Sequence, residues 1–338
     1  MPLDRSLVRS LFRSPVRSVS VPRRRWLRAA AALALAPLGS AWSARADETR
    51  TLRVGFQKGG GLLVLLKAQG PLEKRLGAQG WAVTWHEFPA GPQLLEALDA
   101  GSIDFGYTGA PPPIFAQAAG KDLVYVGAEP TGPSAEAIIV KTGAPLAAVA
   151  DLRGKRIAVQ KGSSANYLLV AALERAGVSY DDVQPIYLPP SDARAAFESD
   201  RVDAWSIWDP YLAATQATMK VRVLADYANL LHPNSFYEAS RRFATSAPQI
   251  VGLVLEELAR AGAWAVANPR AVAELLAPQL GLPAGVVETW QRRTSYGVQP
   301  VDAAVVSTQQ KVADTFLQQK LIPRRIDVAT AVWHWQRG

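Results

Sequence analysis

The 338-residue chain has no cysteine, three histidines and two methionines. Without thiols there can be no cysteine nucleophile, iron–sulfur cluster, thiolate-bound metal or disulfide framework. His86, His232 and His334 are too far apart in sequence to suggest a zinc or copper site, so no metal ligand is assigned. Enzyme signatures are missing as well. Gly154-Lys155 is followed by Arg156, which rules out a phosphate-binding P-loop, and G-x-S-x-G, G-x-G-x-x-G and H-E-x-x-H are all absent. No apolar run reaches the ~18 residues that a membrane-spanning helix needs. No catalytic residue and no cofactor are expected, and a chain of this size needs no disulfide to bury an adequate core.

The body of the chain also lacks an excess charge of either sign. The formal charge of the whole is +8, but residues 1–46 hold nine arginines, no lysine and one acid, Asp4. Removing them from the 37 basic and 29 acidic residues leaves 28 of each, so the remainder is formally neutral. A nucleic-acid partner is thereby excluded. The basic stretch reads as a cleaved export signal. Arg23-Arg24-Arg25-Trp26-Leu27-Arg28 precedes an apolar segment from Ala29 to Leu38, and Ala44-Arg45-Ala46 offers small residues for a cut before Asp47. The arginines ahead of Trp26-Leu27 resemble a twin-arginine signal. A periplasmic location follows as an expectation.

One tripeptide occurs twice in the same setting. Gln57-Lys58-Gly59 follows an apolar strand pattern and leads through Gly60 and Gly61 into Leu62–Leu66. Gln160-Lys161-Gly162 follows another such pattern and leads through Ser163 and Ser164 into Leu168–Leu173. A Gly/Ser turn that opens a helix presents free backbone N–H groups and the positive end of the helix dipole, which together favour an anion. Alone, either loop is an ordinary strand-to-helix turn; a matched pair suggests two similar units facing one ligand. A second repeat supports duplication: Ala100-Gly101-Ser102-Ile103-Asp104-Phe105 and Ser199-Asp200-Arg201-Val202-Asp203-Ala204 both read as helix end, turn and strand start. Asp104 and Asp203 are expected to be structural.

From Thr51 the chain alternates short β-rich runs with helical ones, with strands near 52–56, 82–87, 103–107, 123–128, 136–141, 156–160, 184–188, 203–207 and 221–225. Helices are expected near 61–76, 91–100, 111–119, 164–177, 190–199 and 209–217. After Phe236 the strand signal fades, and helices near 246–267, 269–280, 283–292 and 301–319 complete the chain. This predicts an α/β protein of two lobes on mostly parallel sheets. The first lobe is 47–135 plus 237–338 with a helical C-terminal tail, and the second is 136–236. Ligands bind at the carboxyl ends of strands, so four loops should line a cleft between the lobes. They are Gln57–Gly61, Tyr107-Thr108-Gly109-Ala110-Pro111, Gln160–Ser164 and Trp205-Ser206-Ile207-Trp208-Asp209-Pro210-Tyr211. Trp208 can wall a pocket, whereas Trp205, three positions back, should face the core. Asp209-Pro210 also reads as a helix N-cap followed by proline.

Residues 51–330 resemble the periplasmic aliphatic sulfonate-binding proteins of ABC importers, within a wider taurine, nitrate and thiamine-precursor group. The resemblance is carried by GFQKG (55–59), EFPAGPQLLEAL (87–98), GSIDFG (101–106) and PPIFAQAAGKDLVYVG (112–127). It continues in DLRGKRIAVQKGSS (151–164), SDARAAF (191–197) and VDAWSIWDPY (202–211). It implies a type II periplasmic-binding-protein fold, a small-molecule sulfonate as ligand, and docking of a monomer on an inner-membrane permease served by a cytoplasmic ATPase. By position, the sulfonate would meet Gly59, Gly60, Gly61, Thr108, Gly109, Ser163 and Ser164, with Gln57 beside them and Trp208 and Asp209 near the organic tail. Relatives often carry Asp where this chain has Ala110, which points to a plain alkyl tail; Asp209 keeps a taurine-like amine open. A desulfinase sharing the fold depends on a cysteine that this chain lacks. Taurine, nitrate or a thiamine pyrimidine precursor is the alternative ligand.

Overall fold

The computed structural model describes residues 50–334; the proposed export signal, 1–46, lies outside the described residues. The first sheet uses β1 (Arg50–Phe56), β2 (Trp81–Glu87), β3 (Phe105–Thr108) and β4 (Leu123–Glu129). These alternate with α1 (Gly61–Gln69), α2 (Pro71–Gly77), α3 (Gly91–Asp99) and α4 (Pro111–Ala118). The chain then crosses to a second sheet of β5 (Glu136–Lys141), β6 (Arg156–Val159), β7 (Gln184–Tyr187), β8 (Ala204–Trp208) and β9 (Val221–Asp226). Its helices are α5 (Ser164–Arg175), α6 (Pro190–Glu198) and α7 (Tyr211–Thr218). A return crossing delivers β10 (Ser235–Ser240) to the first sheet. The tail comprises α8 (Arg241–Ser246), α9 (Pro248–Ala267), α10 (Pro269–Leu280), α11 (Ala284–Arg293) and α12 (Ala303–Gln318).

The strand orders are β2-β1-β3-β10-β4 and β7-β6-β8-β5-β9. In each sheet the fourth strand is antiparallel to both neighbours, and in each it is the strand that arrives across a crossing. The remaining pairs, β1 with β2 and β3, and β6 with β7 and β8, are parallel. The two crossings run side by side: the Thr131 hydroxyl donates to the Pro233 carbonyl at 2.8 Å, and Tyr227 N–H to the Pro133 carbonyl at 3.1 Å.

Three sequence expectations are corrected. Ser235–Ser240, where the strand signal was expected to fade, is an interior strand of the first sheet. Its pattern is irregular because Glu238 is fully buried there, so burial overrides the alternation that marks a strand. The single helix expected over 61–76 is two, because Gly70 adopts a left-handed conformation (φ +76°) and Pro71 opens α2. The helix expected over 246–267 begins at Pro248, behind the separate short α8.

Packing follows composition. Leu62, Leu63, Val64, Leu65 and Leu66 of α1 are all buried, so the helix is apolar on every side and lies in the core with α9 and α10. Each such leucine contributes about 2 kcal/mol of burial. The tail ties the molecule together: Val305, Val312 and Phe316 of α12 share a core with Ile114 of α4 and Leu168 of α5. Trp205 is buried with Phe197, as its register predicts.

The duplicated turns form duplicated clamps. Asp104 accepts from Arg53 N–H (3.0 Å), Nε (2.9 Å) and Nη2 (2.6 Å). Asp203 accepts from the same three atoms of Arg156 at 2.8, 3.2 and 2.9 Å. Each Asp returns its own N–H to the arginine carbonyl at 2.8 Å. The clamp pins the start of the central parallel strand to its neighbour in both sheets, which is the structural role expected of Asp104 and Asp203.

Candidate functional site

Five helices begin around one cavity of about 90 Å³. Gly61 at the start of α1, Gly91 at the start of α3 and Gly109 just before α4 line it from the first sheet; Ser164 at the start of α5 and Asp209 ahead of α7 line it from the second. Helix dipoles directed at one point make a positive potential without any cation. The donors, however, are unequal. α1 has no side-chain cap, so its first-turn N–H groups are unclaimed by side chains. α4 opens Pro111-Pro112-Pro113, which removes three N–H donors and leaves only those of Gly109 and Ala110. At α5 the Ser163 hydroxyl accepts from Asn166 N–H at 3.2 Å and donates to the Gln160 carbonyl at 2.7 Å.

The two sides touch. A Cβ on Gly59 would lie 2.5 Å from the Asp209 carbonyl oxygen, and one on Gly109 would lie 2.9 Å from Ser164 Cβ. Both positions therefore require glycine for close approach across the cleft.

Eight of the residues singled out from sequence line this cavity: Gln57, Gly59, Gly61, Gly109, Ser163, Ser164, Trp208 and Asp209. The Gln57 amide donates to the Tyr107 carbonyl at 3.0 Å, tying the first loop to β3. Gly60 lies behind the lining and closes the turn by donating to the Gln57 carbonyl at 2.8 Å. Thr108 is fully buried away from the cavity, its hydroxyl donating to Glu238 Oε1 at 2.6 Å. Ala110 is buried too, with its carbonyl accepting from Gln309 at 2.6 Å, so it does not face a ligand tail. Lys58 and Lys161 are exposed, and Lys161 rests on the Tyr187 ring.

Asp209 is engaged within the protein. Its Oδ1 accepts from Ala213 N–H at 2.8 Å in the manner of a cap, although the helix starts at Tyr211 and Pro210 takes the cap position, one residue later than expected. Arg293 pairs with the carboxylate at 3.4 Å. Burial nevertheless pushes its pKa up to about 6, against the opposing pull of Arg293.

Sequence reading missed several lining residues. Ser235 comes from β10, and Trp290, Thr294 and Ser295 from α11 and its exit. Nothing local marks them, because a distant part of the chain carries each to the cavity. Glu136 had one visible sign, an acid at the head of the apolar run Ala137–Val140. It is buried, it lines the cavity, and burial pushes its pKa up to about 7.

Comparison with known proteins identifies the family. Residues 78–272 match the family described as NMT1/THI5 like. A protein of Escherichia coli described as an aliphatic sulfonates-binding protein is 47% identical over 283 residues, 83% of this chain and 88% of that one. The solved alkanesulfonate-binding protein SsuA from Xanthomonas axonopodis pv. citri, bound to MOPS, is 46% identical and superposes with a TM-score of 0.80 over 84% of this chain and 98% of its own. The periplasmic aliphatic sulphonate binding protein SsuA from Escherichia coli gives 46% and 0.78 over 85% and 93%. The taurine-binding periplasmic protein of Escherichia coli is more distant, at 27% over 68% of this chain and 77% of that one. The two sheets, with one antiparallel strand in each, are the type II periplasmic-binding-protein architecture, and the chain belongs to the NMT1/THI5-like family as a relative of aliphatic sulfonate-binding proteins.

Proposed function

We propose that this chain is the extracytoplasmic solute-binding protein of an ABC importer that captures aliphatic sulfonates and hands them to a membrane permease for sulfur acquisition. In this reading it is a monomeric periplasmic carrier that performs no catalysis, and 136–236 closes against the rest about the paired crossings. The observation that carries the reading is the convergence of five helix starts on one cavity that, among the described residues, is lined by no lysine or arginine. A sulfonate stays ionised at physiological pH and only accepts hydrogen bonds, so neutral donors and dipoles suffice to hold it. Around Gly59, Gly61, Gly109 and Ser164 such donors are available, with Ser163 shaping the turn that presents Ser164 and Trp208 beside them for the organic tail. Gly60 and Thr108 support this shell from behind, as the backbone turn and as the partner of Glu238. The identity of 46–47% to sulfonate-binding relatives, against 27% to the taurine binder, supports the ligand class.

The test is calorimetric titration of protein beginning at Asp47 and stripped of ligand by unfolding and refolding. Alkanesulfonates from ethane- to octanesulfonate should bind one-to-one and more tightly than taurine, sulfate, nitrate or an aminopyrimidine. Heat from the pyrimidine or nitrate with none from any sulfonate would refute the ligand and retain the fold.

A further inference from the structure

Glu136 is the first residue of β5, opposite Trp208 in the ladder, and it lines the cavity close to the start of α5. The Ser164 side chain hydrogen-bonds it, while Oε2 is buried with no hydrogen-bond partner among the described residues. A buried polar atom without a partner costs about 1–3 kcal/mol, so an orphan on a residue that lines a ligand cavity invites a partner from the ligand. The charge state of that partner follows from the surroundings. Among the described residues, the ionisable groups acting on Glu136 are Asp209, after β8, which disfavours its charge, and Tyr227, after β9. No cation pairs with it, since Arg293 bonds Asp209 and Gln216. An ionised Glu136 touching Ser164 would repel an anion held at the same helix start.

We propose that Glu136 binds ligand directly, as the neutral acid, donating its O–H to a sulfonate oxygen at the start of α5. The inference rests on the sulfonate reading above. The proton comes from solvent, so binding takes up a proton whenever Glu136 is ionised in the free protein. Burial supports this, because the free carboxyl already titrates near neutrality and a neighbouring anion raises it further. Glu129, at the other end of the same crossing, is the control. It too is buried, its pKa is raised and its Oε1 has no hydrogen-bond partner among the described residues, but it does not line the cavity, and Tyr237 donates to its Oε2.

The experiment is titration of the mature protein with 1-butanesulfonate from pH 6 to 9, in buffers of different ionisation enthalpy. Affinity should fall about tenfold per pH unit above neutrality, with uptake approaching one proton per ligand at pH 8. Glu136→Gln keeps an N–H donor and cannot titrate, so it should bind with a flat profile and no proton uptake. Glu136→Ala should be flat and about tenfold weaker than wild type at pH 6. Equal wild-type affinity at pH 6 and 9 without proton uptake would overturn the proposal, as would an unchanged slope in Glu136→Gln. Tighter binding of taurine as pH rises would also overturn it, because an ionised Glu136 would then be pairing with the ammonium. If Glu136→Gln fails to fold, the wild-type proton count still decides. Absence of butanesulfonate binding at pH 6 is a different result, and it removes the function proposed above together with this inference.

Discussion

The first half of the cleft is built from glycine and the second from serine. Gly59-Gly60-Gly61 opens α1 with no side-chain cap, whereas Ser163 caps α5 and Ser164 meets Glu136. Behind these loops the two halves are nearly the same object, with an Arg–Asp clamp, two parallel strand pairs and one antiparallel strand in each sheet. The scaffold repeats while the surface facing the ligand does not. Gly59 allows close approach to the Asp209 backbone and Gly109 to the Ser164 side chain, and the serine side supplies Ser164 and an acid, Glu136. The same contrast holds along the first crossing, where Glu129 ends β4 outside the cavity lining and Glu136 begins β5 within it.

The largest expected effect tests that last contrast. The pKa of Glu129 is raised from its ordinary 4.5 to about 8 by burial, so the folded protein holds this proton longer than the unfolded chain. Its contribution to stability is complete below pH 4.5 and is lost as pH rises towards 8. Glu129→Gln should therefore gain on wild type by about 1.4 kcal/mol for each pH unit across that window, read by denaturant titration. A constant difference between the two proteins would mean that Glu129 is not held neutral.

The clamps come next. Asp104 is 6% exposed at its side chain against 31% for Asp203, and Arg53 and Arg156 are 32% and 43% exposed. Asp104→Ala should cost about 2–3 kcal/mol, below the full penalty for breaking a buried pair because Arg53 keeps solvent. Asp203→Ala should lower the unfolding midpoint by less. Equal losses would show that position in the strand ladder, not burial, sets the value of the clamp.

Closure is tested by bulk at the two contact glycines. Gly59→Ala and Gly109→Ala should weaken butanesulfonate binding by about tenfold with little change in unfolding midpoint, since the clash lies across the cleft and not within either half. The smallest effect expected is that of Ser163→Ala, at about 1 kcal/mol of stability from the lost cap. No side-chain substitution on the glycine side has a counterpart to it.

Much of this protein was legible in local sequence. Strand and helix periodicity placed nearly every element, because burial of one face writes its period into adjacent residues. The two Gln-Lys-Gly turns and Trp208-Asp209 marked cavity-lining loops, because a strand followed by Gly or Ser and then a helix is a local pattern. Two departures have a common cause. Thr108 and Ala110 looked like ligand contacts from their place after β3, but Glu238 and Gln309, reaching in from β10 and α12, engage them instead. Those partners lie more than a hundred residues away.

By itself, then, the amino-acid order determined the α/β class, the duplicated halves, the turns that open α1 and α5, and the absence of thiol chemistry. The tertiary structure alone decided that β10 sits inside the first sheet, that α11 and α12 bind both halves, and that Arg293 neutralises Asp209 while Glu136 is left unpaired. The physical reason is that hydrogen-bond geometry of a helix or strand is satisfied within a few residues, whereas burial, which sets charge state and unmet hydrogen bonds, depends on whatever the rest of the chain brings alongside.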